Sequence, residues 1–248
     1  MPFPQHIKSA IDDYVSIYTG DDTFYQNYFW FISAEDLRKR LTDEFKSARF
    51  IYKLLEGMGA EDWLLTAEAK IQILLYASIY EAILHHVLFA HYKSTPELDQ
   101  ITHYDRHVAV NVSATIRANI VKTAKPKGPL AIFEVKREPV DERKIVFEIK
   151  ARTAHALGLL DLKLTQVVIN VYSLRNAIHL HAELKRSIQF DIEAARDAYW
   201  HLQGFCRQIS KRLVLDKKIP PKPATPREKW DASLPRFAKQ VNHLAKNF

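Results

Sequence analysis

The chain has 248 residues, 36 Lys and Arg against 29 Asp and Glu, a net charge of +7 with histidines neutral, and 47% hydrophobic residues. It is a basic globular protein with enough apolar material for a core, neither disordered nor fibrous. Six glycines are too few for an all-β protein of tight turns or for either common Gly-rich phosphate loop, which disfavours nucleotide-fold enzymes. The one cysteine, Cys206, has no partner for an intramolecular disulfide and supplies no Cys-x-x-Cys half-site for zinc, so a cytoplasmic location is expected.

The N-terminal stretch has two prolines and early acids where a secretory signal needs a short apolar run, and no targeting segment is expected there. Lys8 to Tyr18 reads as a short amphipathic helix stopped by Gly20-Asp21-Asp22. An aromatic run, Phe24 to Phe31, follows; its rings suit burial in a bundle better than the alternative of stacking on single-stranded bases. Ser33, with Asp36 three residues on, approximates a capping box and predicts a helix over about 34–56 that ends at Gly57 and Gly59. The next helix, about Leu65 to Tyr92, is apolar nearly all round. Gln72, Glu81, His85 and His86 interrupt it, so it reads as a central core helix and not a membrane span, and no membrane partner is expected.

From Lys93 to about Asp141 four prolines punctuate the chain and Lys122, Lys125 and Lys127 crowd one stretch. This predicts an irregular or β-hairpin insertion. Leu130 to Val135 reads as a strand with Lys144 to Lys150 as its possible partner; for the latter a helix over about 141–157, started by Asp141 and stopped by Gly158, is preferred. Helices over Leu162 to Arg186 and Phe190 to Leu213 follow. Lys217 to Pro223 is an extended linker, and Thr225-Pro226-Arg227-Glu228 starts a basic C-terminal helix kinked at Pro235. The expectation is an all-α bundle forming one domain over about 1–213, with 214–248 as linker and helix.

Arg175, Asn176, His179 and His181 lie together on one predicted helix. With Arg175 at 0° and about 100° per residue, Val167, Val171, Leu174, Ile178 and Ala182 form a stripe at about 260–340°. That puts Arg175 at the edge of the core face. A permanently charged guanidinium and a titratable imidazole suffice to cleave RNA without metal. The imidazole moves the proton of a ribose 2′-hydroxyl or of the leaving oxygen, and Arg175 stabilises phosphate charge. Ordinary hydrogen bonds to neighbouring helices are the alternative role for these groups.

The stretch Leu174-Arg175-Asn176-Ala177-Ile178-His179-Leu180-His181 resembles the signature of the HEPN superfamily, an Arg, often a polar residue, then four to six residues and a His. Arg175 to His181 has five between and Arg175 to His179 three. Tyr76 to Ala82 resembles the family's early core helix and Ile145 to Asp161 its pre-motif helix, so the likeness spans about Ala48 to Ser210. The resemblance implies an HEPN-like fold, a homodimer through the motif helix with a composite site, and metal-independent endoribonuclease activity in a toxin–antitoxin or antiviral-defence setting, with an antitoxin or defence partner. Some relatives are inactive binding modules. His181 is the implied catalytic histidine, with His179 its alternative, Asn176 assisting and no cofactor.

Glu81, in an apolar helix, needs a partner, and Arg175 is the candidate. Lys122, Lys125, Lys127 and the cations between Lys211 and Lys229 suit an RNA backbone. His85, His86, His91, His103 and His107 are the raw material for a metal enzyme, the reading from a different class. His103-Tyr-Asp-Arg-His107 lacks the Glu of the zincin pattern and a third ligand is not nominated, so no metal is expected.

Overall fold

The computed structural model describes residues 2–124, 126, 128, 131–179 and 188–222. The described residues are predominantly helical, with one small antiparallel sheet. In chain order they form α1 (Gln5–Tyr18), α2 (Asp22–Tyr28), α3 (Glu35–Gly57), α4 (Asp62–His91), α5 (Pro96–Thr102), β1 (His103–Ala109), α6 (Ala114–Ala124), β2 (Phe133–Pro139), a 3-10 turn at Glu142–Lys144, α7 (Phe147–Ala156), α8 (Leu162–Asn176) and α9 (Ile192–Leu215).

The centre is α4, packed by α3, α7, α8 and α9. Among the described residues it is the one helix long and apolar enough to cross a membrane. Ile73, Ala77, Tyr80, Ile83, Leu84, Val87 and Leu88 are fully buried, which fits a helix enclosed by others. The aromatic run is buried too. Tyr25, Phe29, Phe31 and Ile32 enter the core, and Phe45 of α3 collects them. Its ring centroid is 5.1 Å from Tyr25, 5.0 Å from Tyr28, 6.1 Å from Phe29 and 6.3 Å from Tyr76. Edge-on packing of this kind adds to the area each ring removes from water.

Local chemistry explains most boundaries. Asp21, Asp161 and Asp191 accept hydrogen bonds from Phe24, Leu164 and Ala194 at the starts of α2, α8 and α9, each 2.8 Å. Gly158 takes φ +71°, the left-handed turn that ends α7. The capping box expected at Ser33 is not used. The cap position is Ala34, with no side-chain bond, and Glu35 and Asp36 supply first-turn negative charge instead.

The insertion carries an antiparallel pair, one of the two forms expected of it: β1 pairs with β2 from His103↔Pro139 to Ala109↔Phe133, with α6 between them among the described residues. The strand expected at Leu130 to Val135 falls later, at Phe133–Pro139, and its partner is His103–Ala109 and not Lys144 to Lys150, for which the preferred helix is found. Phe147, Lys150, Ala151 and Ala154 of that stretch are buried at helical spacing in α7, and burial on one helix face won over strand propensity. The helix expected over Leu162 to Arg186 stops at Asn176. Ala177 donates to the Leu174 carbonyl and Ile178 to the Arg175 carbonyl, a tightened last turn, while Ala177 and Ile178 leave the helix for a small cluster with Ala69, Ile73, Phe190 and Ala195. The C-terminal helix begun at Thr225 lies outside the described residues.

Two core positions make predictions. Phe45→Ala removes the ring that unites the aromatic cluster and is expected to cost about 3–5 kcal/mol in urea unfolding. Glu68 is 2% exposed; burial and the charge of Glu56 push its carboxyl up to about 7, against the opposing pull of Arg196. The folded state thus binds this proton more tightly than the unfolded chain, whose carboxyl titrates near 4.5. Stability is highest below that value and falls as pH rises through about 7. Glu68→Gln should raise the melting temperature at pH 8, with the gain shrinking toward pH 5.

Candidate functional site

The residues singled out by the motif lie at the C-terminal end of α8, where it packs on α4, α7 and α9. The buried residues of α8 are Leu164, Thr165, Val168 and Val171. At about 100° per residue their row runs straight on to Arg175. The core face is therefore rotated from the predicted stripe, Val167 and Leu174 are only half-buried, and Arg175 continues the buried row instead of flanking it.

Arg175 is half-buried, and its surroundings hold it. Its Nη1 donates to Asn176 Oδ1 at 3.1 Å and, more weakly, to the Tyr172 hydroxyl at 3.5 Å. The guanidinium carbon lies 5.2 Å from the centre of the Tyr172 ring. Tyr172 in turn stacks on Phe147 of α7, with centroids 4.1 Å apart and planes at 15°, and its hydroxyl donates to Glu81 Oε1 of α4 at 3.0 Å. Glu81 was expected to pair with Arg175. It pairs instead with Tyr172, because the tyrosine one turn earlier on α8 reaches α4 first and its hydroxyl satisfies the carboxylate, with Arg175 one group further out. Burial, then the Glu81 charge, raises the Tyr172 hydroxyl above the usual phenol value, against Arg175, so it remains a neutral donor and acceptor at physiological pH.

One turn along α4 the cluster continues. Lys150 of α7 is 3% exposed; its Nζ lies 3.3 Å from His85 Nδ1 and 5.9 Å from the centre of the Phe89 ring. Burial lowers the affinity of Lys150 for its proton, opposed by the charges of Glu81 and Glu142. Burial and then the Lys150 charge lower that of His85, opposed by Glu142 and Glu81. A neutral His85 accepting at Nδ1 satisfies both groups.

The structure separates other predicted site residues. Lys122 lies in the last turn of α6, an element outside the group that packs on α8, and Lys125, Lys127 and His181 lie outside the described residues. His179 is exposed and lies beyond the end of α8, so its predicted place beside Val168 and Tyr172 on the helix is lost. The histidines do not assemble. His103 and His107 are both in β1, not on one helical turn, and about 13 Å apart along an extended strand. His103 is held by Asp99 at 3.1 Å, and the rings of His86 and His91 meet edge-on with centroids 5.8 Å apart. Among the described residues no three His, Cys, Asp or Glu side chains form a metal-ligand group.

Sequence reading missed Tyr172, Phe147 and Lys150. Tyr172 was detectable, since it precedes Arg175 by three residues and so shares its helix face. The burial of Lys150 left no signal, because lysine is almost always exposed.

Compared with known protein families, curated proteins and solved structures, the chain finds no match.

What the cluster can do follows from the guanidinium. Among the described residues only Nη1 of Arg175 is hydrogen-bonded, which leaves Nε and Nη2 as a planar two-donor edge suited to a phosphate or carboxylate. Tyr172→Phe should leave Glu81 without its donor and cost about 1–2 kcal/mol in chemical denaturation. Adding Glu81→Gln to that variant should cost less than the sum of the single changes, the signature of a direct pair.

Proposed function

We propose that the chain is a metal-independent endoribonuclease of the HEPN type, acting as a homodimer with Arg175 as its charge-stabilising group. The observation that carries the reading is the half-buried Arg175, fixed through Tyr172 and Asn176, with Nε and Nη2 unengaged among the described residues. A preorganised donor fork of this kind is worth more than a solvated arginine because it needs no reorganisation as negative charge grows on the non-bridging phosphate oxygens.

In the reaction a histidine accepts the proton of a ribose 2′-hydroxyl. The 2′-oxygen forms a bond to phosphorus, and the bond to the 5′-oxygen breaks as that oxygen takes up a proton. The products are a 2′,3′-cyclic phosphate and a 5′-hydroxyl, with no net change in protons and no oxidant or metal required. His181 has the spacing that the HEPN resemblance asks for and is the first assignment; His179, exposed just past α8, is the alternative. Asn176 orients Arg175, and Glu81 does so at one remove through Tyr172. Lys122, Lys125 and Lys127 would contact RNA away from the cut, and a toxin–antitoxin or antiviral-defence role would supply the partner that restrains the activity.

Purified protein incubated with total RNA in excess EDTA is expected to cut it and leave cyclic phosphate ends. Arg175→Ala and His181→Ala should each slow cleavage by roughly a hundredfold or more. Loss in Arg175→Ala with full activity in His181→Ala reassigns the histidine to His179. Cleavage that needs a divalent metal, or that survives Arg175→Ala, overturns the reading.

A further inference from the structure

α1 carries apolar residues on two adjacent faces, and the bundle covers one of them. The helix packs on α3, and Val15 is its one buried residue. With Ile7 at 0° and about 100° per residue, Ile11, Val15, Tyr18 and Thr19 fall at about 20–120°, the side that is buried or half-buried. Ala10, Tyr14 and Ile17 fall with Ile7 at about 280–360°, and all four are exposed, Ile7 by 37%, Tyr14 by 36% and Ile17 by 70%. Phe3, four residues before Ile7 and just ahead of the helix, is 62% exposed.

Along this open face, from Phe3 through Ile7, Ala10 and Tyr14 to Ile17, the spacing alternates four and three residues. That is the repeat of a seam that fits one other helix, narrower than the stripe a helix lays on a broad surface. Four charged or titratable side chains share α1, and two of them border the seam. His6 and Asp13 lie at about 240–260°, while Lys8 and Asp12 are on the far side at about 100–140°. Glu56 of α3, whose charge reaches Tyr14, is paired with Lys53. No Lys or Arg of α1 borders the seam, so a phosphate-bearing surface, lipid or nucleic acid, meets no matching cation there.

We propose that α1 is a self-association surface on which a second copy of this chain lays its own α1 antiparallel. Two antiparallel registers mesh the seam positions. One is centred on Asp12 and sets Asp13 against Asp13 of the second copy. The other, with its twofold axis between Lys8 and Ser9, sets Phe3 on Tyr14, Ile7 on Ala10 and His6 beside Asp13 of the second copy, each contact made twice by symmetry, with Ile17 beyond the overlap. Like charge disfavours the first register, and the second replaces it with a favourable pair, since an imidazole donates to a carboxylate in either protonation state. The helix is already formed on α3, so association does not have to order it. Its 14 residues give a seam of about 21 Å, short enough that the association is weak, of micromolar order. This pairing is separate from the one the HEPN reading places at the helix of Arg175, because α1 packs on α3 and the Arg175 cluster lies among α4, α7 and α8.

Sedimentation equilibrium of the full chain, from about 1 to about 200 µM, reads the assembly. The variants are Ile7→Asp/Ala10→Asp, His6→Asp, and His6→Asp/Asp13→His, all at exposed positions, and circular dichroism checks that each remains folded. The mass of the parent chain is expected to rise with concentration to twice that of Ile7→Asp/Ala10→Asp. His6→Asp should weaken the association about fivefold or more, by setting two acids against each other, and adding Asp13→His should restore it to within about twofold. Equal masses for the parent and Ile7→Asp/Ala10→Asp at every concentration overturn the proposal; if that common mass is a dimer, the interface lies elsewhere, as at the helix of Arg175. Failure of Asp13→His to restore what His6→Asp removes overturns the antiparallel pairing. Phosphatidylcholine vesicles are measured in parallel, and parent binding that Ile7→Asp/Ala10→Asp abolishes without a change in mass overturns the proposal and names a membrane surface as the occupant. RNA cleavage in EDTA is followed alongside; its absence counts against the HEPN reading alone, since the pairing of α1 uses no residue of that site.

Discussion

A helix that is apolar nearly all round needs other elements to enclose it, and α4 imposes that constraint on this chain. It is met along most of α4 by α3, α7, α8 and α9, with Ile71 and Leu74 left exposed. Several of the polar groups that interrupt α4 are answered by a neighbour, since an unpaired buried polar atom is costly; His86 Nε2 and His91 Nε2 are buried without a hydrogen-bond partner among the described residues. Gln72 Nε2 donates to the Ala48 carbonyl at 3.0 Å, Glu81 accepts from Tyr172 of α8, and His85 meets Lys150 of α7. The polar cluster beside Arg175 is thus placed by the same packing that buries the core, not by a loop laid over it.

Within that cluster charge is spread through neutral intermediaries. Glu81 and Arg175 are of opposite sign but are joined through a phenol, and Lys150 is buried against an imidazole, with Glu81 and Glu142 acting on it through space. A direct Glu81–Arg175 pair would quench the guanidinium and leave little for an anion. Interposing Tyr172 fixes the orientation of Arg175 and leaves its charge available. Networks of this kind are rigid when all members are satisfied and costly when one is removed.

The sequence made the helical class, the central position of α4 and the burial of the aromatic run legible, because each is written in composition and periodicity over many residues. Arg175 and Glu81 stood out for the same reason, as polar residues on apolar helices. Three features were not legible, and each was decided by distant contacts. The strand His103–Ala109 depends on pairing with Phe133–Pro139 across an intervening helix. The end of α8 carries no Gly or Pro, and depends on Ala177 and Ile178 being drawn toward Ala69 and Ile73. The pairing of Glu81 with Tyr172 depends on which side chain of α8 arrives at α4, and a turn's difference in position decides it.

The base of the β1–β2 ribbon has a consequence for how such a chain can vary. The strand ladder closes with the Val140 N–H on the Thr102 carbonyl at 2.8 Å, so the chain leaves the helical body and re-enters it at nearly one point. Whatever lies beyond that clasp is topologically a side branch. It can be lengthened, shortened or exchanged between descendants without moving a core helix, since the ends to be joined are already neighbours and the closure entropy changes only slowly with the length between them. The bundle and the ribbon are thereby free to diverge at different rates, one constrained by packing and the other by whatever it touches.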